Sequence, residues 1–315
     1  MRFQDSIFVE NNRMQSVGYY LIYPLLWFIS ILPFRVAYII SDILYVILYY
    51  LVVYRKETIL KNLNIAFPNQ SAAWHQEIHK QSTKHFCDTF IEIIKSMGMS
   101  KEAMRKRYTC ENLELINQFA DLGRSNITML GHQASYEWSM VLDGSLNFES
   151  YAVYKPIKHK RFDNLIKSVR SKFGTTLVAM KNVSKVMVRA KEVPVFFGFI
   201  ADQAPKPSRV KYFTNFFDTP TAVFRGGEFL AAKYDMSVCY LSVRKVKRGH
   251  YKSTVHVLSD NAANSPAWEI TDRFFKLLEA DIKKQPQYYL WSHKRWKSTL
   301  ENVKHNVELS PVIHQ

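Results

Sequence analysis

An imidazole and a carboxylate lie close together in the middle of the chain, at His132 and Glu137. A neutral imidazole takes a proton from a hydroxyl group near pH 7, and a carboxylate on its other nitrogen fixes the tautomer and stabilises the imidazolium. No cysteine and no Gly-x-Ser-x-Gly turn stands beside them to supply an enzyme nucleophile. The pair therefore predicts a general base and its orienting acid, acting on a hydroxyl group of the substrate.

The residues around this pair predict a strand followed by a helix. Residues 127–130 are apolar or β-branched, as in a short buried strand, and Gly131 permits a tight exit. Ser135 is expected to cap a helix that carries Glu137 in its first turn. Both side chains would then lie at the carboxyl end of a strand, where ligands bind in open α/β sheets. A surface histidine and an unrelated glutamate at a helix start would give the same spacing.

Strand and helix patterns alternate after this motif. Residues 151–154 and 175–178 predict strands, separated by a basic amphipathic helix over 159–173 with Gly174 as its carboxyl-terminal cap. Residues 193–200 form a continuous apolar run, which is typical of a central strand covered on both faces. This alternation predicts an α/β sandwich.

Two apolar runs occupy the amino-terminal region. Residues 16–34 carry no charge and are long enough for one helical crossing of a bilayer. The second run, residues 36–54, contains Asp42, and a lone carboxylate facing lipid is costly. We therefore expect the second run to lie at the membrane interface or to pack against protein. Two crossings, or two buried core helices, are the alternatives.

Basic residues just after the second run place the rest of the chain on the cytoplasmic side of a membrane. We expect a membrane anchor and an amphipathic connector over residues 1–68. A catalytic domain is expected over residues 69–315. Between these, residues 71–122 show helical patterns with little chemistry, and His75, His79 and His85 are expected to be solvated.

The composition limits the class of partner and the compartment. The formal net charge of +16 predicts attraction to nucleic acid, phospholipid headgroups or an acidic carrier protein. Aromatic residues make up 14% of the chain, and many lie in the early apolar runs, which favours a membrane surface over nucleic acid. The three cysteines are widely spaced, so we expect neither a disulfide framework nor a zinc site, and the spacing indicates a reducing compartment.

Six fragments occur in a recognisable order along nearly the whole chain. They are Lys61-Asn62-Leu63 to Phe67-Pro68 after the apolar amino end, Gly131-His132 with Glu137, Tyr154-Lys155-Pro156, Arg170 ahead of Gly174, Asp202-Gln203, and Tyr289-Leu290-Trp291 through His293-Lys294-Arg295. Together they resemble the late acyltransferases of lipid A biosynthesis, within the lysophospholipid and glycerolipid acyltransferase superfamily. The chain departs from that pattern at Phe216-Phe217-Asp218 and at Ala204-Pro205-Lys206.

The resemblance implies a fold and a reaction. The fold is a mixed-sheet αβα sandwich of the glycerolipid acyltransferase type, with an N-terminal membrane-anchoring helical segment. The reaction moves a fatty acyl group from a thioester, commonly on acyl carrier protein, to a hydroxyl of a membrane lipid such as a lipid A precursor. His132 is implied as the general base and Glu137 as its partner, and no metal or other cofactor is expected. The implied location is the cytoplasmic face of a bacterial inner membrane.

Further polar residues are candidates for binding the substrate. Arg170 and Asp202 match polar positions of the family, and Asp202 also follows the apolar run at 193–200. Lys155 belongs to a basic tract that would meet an anionic headgroup or the acidic face of the carrier protein. Arg225, ahead of Gly226-Gly227, is a further candidate.

Other functions fit parts of the same sequence. The acceptor could be a lysophospholipid or an aminolipid, and under-acylated lipid A in cells lacking the protein would separate these acceptors from lipid A. A basic membrane-surface or nucleic-acid binding protein without catalysis would keep its function in His132→Ala. No helix-turn-helix or other nucleic-acid signature is present, so no specific nucleic-acid partner is expected.

Overall fold

A computed structural model of the chain describes residues 18–314, which form an α/β structure around a mixed sheet. The strands are β1 (Tyr108–Cys110), β2 (Asn126–Leu130), β3 (Glu149–Tyr154), β4 (Thr176–Ala179), β5 (Val195–Ile200), β6 (Tyr212–Phe216), β7 (Thr219–Ala222), β8 (Ser237–Lys247), β9 (His250–Ser259) and β10 (Glu308–Leu309). The α-helices are α1 (Gly18–Ile31), α2 (Phe34–Val46), α3 (Lys56–Ala66), α4 (Ala72–Gly98), α5 (Lys101–Arg105), α6 (Glu114–Asp121), α7 (Lys160–Arg170), α8 (Val183–Val186), α9 (Gly226–Lys233) and α10 (Glu269–Lys284).

The main sheet has seven strands in the order β1-β9-β8-β2-β5-β3-β4. β8 and β9 form an antiparallel hairpin around Gly249, and the other neighbouring pairs run parallel. β5, the predicted central strand, lies between β2 and β3. The predicted α/β class with a mixed sheet is confirmed, as is the helix α7. Gly174, with φ of 108°, caps a 3-10 turn at Ser171–Phe173 that follows α7, rather than α7 itself.

Alternate residues of the central strands enter two separate hydrophobic cores. In β2, Ile127 and Met129 pack with residues of α9 and α10, whereas Leu130 packs with residues of α6 on the opposite face. In β5, Phe197 lies in the same core as Ile127 and Met129, and Phe196 lies in the same core as Leu130. A strand presents successive side chains to opposite faces, so a run of consecutive apolar residues is buried on both sides. The sheet is therefore a middle layer with helices on either face.

The amino-terminal runs form two helices of different length. Residues 1–17, which include the start of the first predicted run, lie outside the described residues. The described part of that run is α1, and the second run forms α2, which continues through a π-helical turn at Ile47–Leu51. Within residues 18–314, Phe34–Leu51 is the one helix long and apolar enough to cross a bilayer. The expected crossing by the first run, which begins outside the described residues, stays a prediction.

One face of α2 nevertheless packs on α4 and the β8–β9 hairpin through polar groups. We call these groups the polar seam: Tyr38, Ser41, Asp42, Asp88, Glu92, Lys245, Arg248 and Tyr251. Arg248 Nη2 bridges Asp42 Oδ1 at 2.7 Å and Asp88 Oδ1 at 2.6 Å. The expected packing of the second run against protein is confirmed. The opposite face of α2 exposes apolar residues at helical spacing, including Val36, Ile39, Ile43 and Val46.

The connector and the carboxyl-terminal segment are parts of the main core. Ile59 and Leu63 of α3 are buried in the same cluster as β2 and β5, and the Asn62 amide donates to the carbonyls of Trp291 and His293. A second, three-stranded sheet of order β10-β6-β7, which the sequence did not predict, lies beside α10. The domain division at residue 68 stays a prediction, although α3 contributes to this core.

Candidate active site

His132 lies in a short loop at the carboxyl end of β2. A Cβ atom at Gly131 would stand 2.5 Å from Leu278 Cδ1, so a larger residue there would displace the buried Leu278 side chain. The loop is held by the carboxyl-terminal segment: the N–H of Leu290 donates to the carbonyl of His132 at 3.1 Å, and the N–H of Ala134 donates to the carbonyl of Tyr288 at 2.9 Å. These backbone bonds fix the imidazole from the side opposite β2.

Asp202 is the carboxylate that holds the imidazole. Leu130 of β2 pairs with Ile200 of β5, and His132 and Asp202 each follow two residues later. Asp202 Oδ1 lies 2.6 Å from His132 Nδ1, and the backbone N–H of His132 donates to Asp202 Oδ2 at 2.9 Å. Both carboxylate oxygens are thus used by one residue, which fixes the ring and its position together.

The interaction between His132 and Asp202 raises the imidazole pKa and lowers the carboxyl pKa. Burial by itself disfavours both charged forms. For His132 the negative charge and hydrogen bond of Asp202, with a further contribution from Glu137, outweigh burial and raise the imidazole pKa. Burial would raise the carboxyl pKa of Asp202. The charge and hydrogen bonds of His132, together with the charge of Arg295, outweigh burial, and the pKa falls to about 2. Asp202 is therefore an anion at neutral pH.

The remaining imidazole nitrogen faces the open side of the site. The Gln203 amide nitrogen lies 3.3 Å from His132 Nε2, and an amide nitrogen is a donor. With Asp202 accepting at Nδ1 and Gln203 donating at Nε2, the partners favour the neutral tautomer protonated on Nδ1. Tyr136 packs edge-on against the ring, with centroids 4.7 Å apart. Nε2 can then accept a proton from a hydroxyl group.

Glu137 forms its hydrogen bonds with Arg170, and its expected pairing with His132 stays a prediction. Arg170 Nε donates to Glu137 Oε2 at 3.0 Å, and Arg170 Nη2 donates to Glu137 Oε1. The segment Tyr136–Ser145 forms a 3-10 helix instead of an α-helix, and Ser135 makes no capping bond. This helix directs Glu137 towards α7, whereas Asp202 follows the strand next to β2. Glu137 reaches His132 through its charge rather than through a hydrogen bond.

Two cavities adjoin these residues, and we number them for reference. The first cavity contains about 720 Å³ of space, part of it open to solvent, and lies between the sheet and the 3-10 helix. Its walls are mainly apolar, from residues such as Leu130, Ala152 and Ile200, with Glu137 and Arg170 among its polar groups. This cavity has the lining expected for an apolar ligand with a polar end.

The second cavity contains about 710 Å³ and is lined by His132 itself. Its other walls come from α4 and from residues 288–292. Tyr136 lines both cavities and thus stands between them. The sequence had indicated little chemistry in α4, and His75, His79 and His85 are buried rather than solvated. Neither Tyr136 nor the wall from α4 had been predicted.

The other residues predicted to bind substrate lie at different distances from His132. Lys155 is exposed just after β3, at the same edge of the sheet as His132. Arg225 lines a different cleft with Lys211 and Trp268 and stacks on Phe229, so the described contacts do not bring it to His132. Asp202, expected to bind substrate, instead binds the imidazole. Within residues 18–314 no group of three or more His, Cys, Asp or Glu side chains could hold a metal ion.

The chain is similar to one family of known proteins and to individual proteins whose names describe the same kind of enzyme. The family model described as bacterial lipid A biosynthesis acyltransferase matches residues 8–298. A lipid A biosynthesis palmitoleoyltransferase of Escherichia coli K12 is 21% identical over 249 residues, which are 78% of this chain and 79% of that protein. A lipid A biosynthesis acyltransferase of Shigella flexneri shows the same identity and coverage.

Proposed function

The chain belongs to the bacterial lipid A biosynthesis acyltransferase family, and from that premise we propose a specific reaction for it. The enzyme transfers a fatty acyl group from a thioester of acyl carrier protein to a hydroxyl group of a lipid A precursor. It does so at the cytoplasmic face of the inner membrane, on a fold of the glycerolipid acyltransferase type. The observation that carries the proposal is a largely buried imidazole that is held by an anionic carboxylate and lines an apolar cavity.

His132 acts as the general base. Its Nε2 takes the proton of the acceptor hydroxyl while the hydroxyl oxygen attacks the thioester carbonyl carbon. The negative charge that develops on the carbonyl oxygen needs a donor, and the Gln203 amide beside Nε2 is in place to serve. The C–S bond then breaks, the new ester is released, and the imidazolium returns the proton to the thiolate.

Asp202 is the positioning carboxylate for that base. Because Asp202 occupies Nδ1, it selects the tautomer with its lone pair on Nε2, which the acceptor hydroxyl must take over from the Gln203 amide, and its charge stabilises the imidazolium that forms. Arg295, which is 2% exposed, adds positive charge near Asp202 and helps to keep it ionised. This arrangement supports the chemical role first assigned to Glu137, but with a different acid.

Glu137 and Arg170 act on the donor instead. They lie among the apolar walls of the first cavity, whose lining suits the transferred hydrocarbon chain. A paired guanidinium and carboxylate at such a site can orient the thioester and its attached carrier without changing charge during the reaction. Lys155 and neighbouring exposed cations, at the same edge of the sheet, supply attraction for an acidic carrier protein.

The deciding experiment is an assay with membranes that contain the protein. Acyl carrier protein loaded with a labelled fatty acid is the donor, and a purified lipid A precursor is the acceptor. Wild type is expected to make labelled lipid, and His132→Ala is expected to lose several orders of magnitude in rate, as after loss of a base in a base–acid pair. Equal labelling by His132→Ala, at equal protein level and unfolding midpoint, would refute the mechanism.

Parallel reactions test the two substrates. Acyl coenzyme A in place of the carrier protein identifies the donor, and a lysophospholipid in place of the lipid A precursor identifies the acceptor. We expect the carrier-protein thioester and the lipid A precursor to react faster. A faster reaction with the lysophospholipid would reassign the acceptor while leaving the role of His132 intact.

A further inference from the structure

The second cavity has an apolar interior despite several hydroxyl-bearing residues in its wall. Ser82 and Thr83 each donate to the carbonyl of His79, and Thr89 donates to the carbonyl of His85, at 2.9 to 3.0 Å. A hydroxyl group satisfied within its own helix has little left to offer a ligand. Phe86, Phe90 and Ile93 supply the rest of the α4 wall. The ligand that fits such a wall is hydrocarbon.

The cavity opens towards the exposed apolar surface of the amino-terminal region. Phe90 lines the cavity and is 51% exposed, which marks an opening on that side. Tyr54 also lines the cavity and stacks on Phe86, and it directly follows Leu51–Val53, where Leu51 is 74% exposed. The outward face of α2 leads along the chain into Leu51–Val53. The apolar surface is therefore continuous from α2 to the opening.

Positive charge lies beside the opening. Arg55 is exposed next to Tyr54, and its guanidinium donates to the carbonyl of Ser292, another residue of the cavity wall. Lys294, two residues after Ser292, is exposed as well. Cations at the mouth of an apolar cavity complement a molecule that has a hydrocarbon tail and an anionic head.

His132 lines the second cavity and not the first. The reacting hydroxyl must reach His132 Nε2, so the molecule that carries it has to enter from the second cavity. The first cavity is required at the same moment by the donor chain, and Tyr136 stands between the two. The two reactants would then meet at the imidazole from opposite sides of one aromatic ring.

We propose that the second cavity binds a hydrocarbon chain that the lipid acceptor already carries, admitted from the bilayer between Phe90 and Leu51–Val53. The proposal rests on the proposed acyl transfer and adds a separate acceptor site to it. Its basis is the juxtaposition of the base, an apolar cavity and an exposed apolar opening flanked by cations. Tyr136 is then the residue that keeps donor and acceptor chains apart.

Two variants that reduce one cavity each provide the test. Thr89→Phe fills space in the second cavity, and Gly198→Val fills space in the first. A Cβ atom at Gly198 meets no close neighbour, because the nearest atoms are 3.9 Å away, and the two further methyl groups of valine are the part that fills space. Thr89→Phe is expected to raise the half-saturating concentration of the lipid A precursor about tenfold without changing the preferred length of the transferred chain. Gly198→Val is expected to shift transfer towards shorter acyl chains and to leave the half-saturating concentration of the lipid A precursor unchanged.

The reverse assignment would overturn the proposal. If Thr89→Phe shortened the transferred chain, or left both properties unchanged in a folded protein, the second cavity would not be the acceptor site. Photolabelling of wild type covers the case in which a variant fails to fold. A lipid A precursor with a diazirine in its chains is expected to label residues 82–93, and labelling of the first cavity alone would refute the site.

Failure of the underlying reaction gives a different result. Wild type would then transfer no label from any thioester to any lipid, whatever the photolabelling shows. Labelling of residues 82–93 by the precursor without turnover would support the acceptor site and reject the proposed transfer.

Discussion

The two carboxylates of the active site differ in where the fold places them and in what they bind. Asp202 follows a buried strand, is 2% exposed, and gives both oxygens to His132. Glu137 lies on a 3-10 helix and gives both oxygens to Arg170 on α7. Glu137 is near His132 in sequence and Asp202 is 70 residues away. Sheet register, rather than sequence distance, selects the partner of the base.

We propose that the two acids serve two separate tasks, proton transfer and substrate positioning, which a single acid would otherwise combine. The strand pair β2–β5 places His132 and Asp202 side by side, because both follow the same step of one parallel ladder. The 3-10 helix and α7 hold a second charged pair against a cavity wall. Under the proposed roles, proton transfer and substrate positioning would depend on different elements, and substitutions should affect them separately.

The largest contrast is expected between neutral replacements of the two acids. Asp202→Asn should reduce kcat/KM by about 10³- to 10⁴-fold, because an amide at Nδ1 no longer selects the tautomer or stabilises the imidazolium. Glu137→Gln should cost about 10- to 100-fold, as expected for a loss of positioning. Steady-state kinetics with both substrates measures the two effects. Equal losses in the two variants would restore Glu137 as the acid that serves the base.

The pH dependence offers an independent comparison of the same acids. His132 must be neutral to act as the base, so kcat/KM should fall as the pH drops through its pKa, which Asp202 raises above the ordinary value. Asp202→Asn removes the main charge that opposes burial, so the acidic limb of the profile should move to lower pH. Glu137→Gln should move it in the same direction but less far. An unmoved limb in Asp202→Asn would show that another group titrates.

Breaking the ion pair between Arg170 and Glu137 is expected to have a smaller effect, on the free energy of unfolding. Arg170→Gln leaves the carboxylate of Glu137, which is 10% exposed, without its partner. The cost of an unsatisfied charged group, about 1–3 kcal/mol, should lower the unfolding midpoint by roughly 2–6 °C. The double variant Glu137→Gln with Arg170→Gln should recover most of that loss, because no unpaired charge remains. Additive losses in thermal unfolding would mean that the pair contributes no coupling.

The smallest effect is expected at Lys155. This side chain is exposed at the edge of the sheet, so Lys155→Ala should change the half-saturating concentration of acyl carrier protein by no more than about threefold at physiological salt. The effect should grow as salt is reduced and should be absent with acyl coenzyme A at high salt. A salt-independent loss would indicate a direct contact with the reacting groups instead of attraction for the carrier.

Much of this architecture was predictable from local patterns, and the errors have one physical source. β2 and β5 were predicted from apolar runs, and both place their following polar residues at the same edge of the sheet. The hydrogen bond between His132 and Asp202 was not predicted, because register between strands 70 residues apart leaves no local signal. The pairing of the two-residue strand β10 with β6 was missed for the same reason.

The character of α4 was missed for another reason. Its serines, threonines and histidines resemble a polar surface in sequence, yet the hydroxyls bond to their own helix and the histidines are buried by neighbouring elements. Side-chain polarity alone does not reveal whether a polar group is already satisfied. The three histidines were therefore expected to be solvated, and the cavity wall that α4 supplies was not predicted.

The polar seam has a mechanical consequence for the active site. α2 cannot tilt or slide without breaking the double bridge from Arg248 to Asp42 and Asp88, and Arg248 sits on the turn of the hairpin whose strand β8 adjoins β2. We therefore expect a bilayer that receives the outward face of α2 to set the height of the imidazole above the lipid headgroups. Under the proposed reaction, bilayer thickness would then help to determine which hydroxyl groups come within reach of His132.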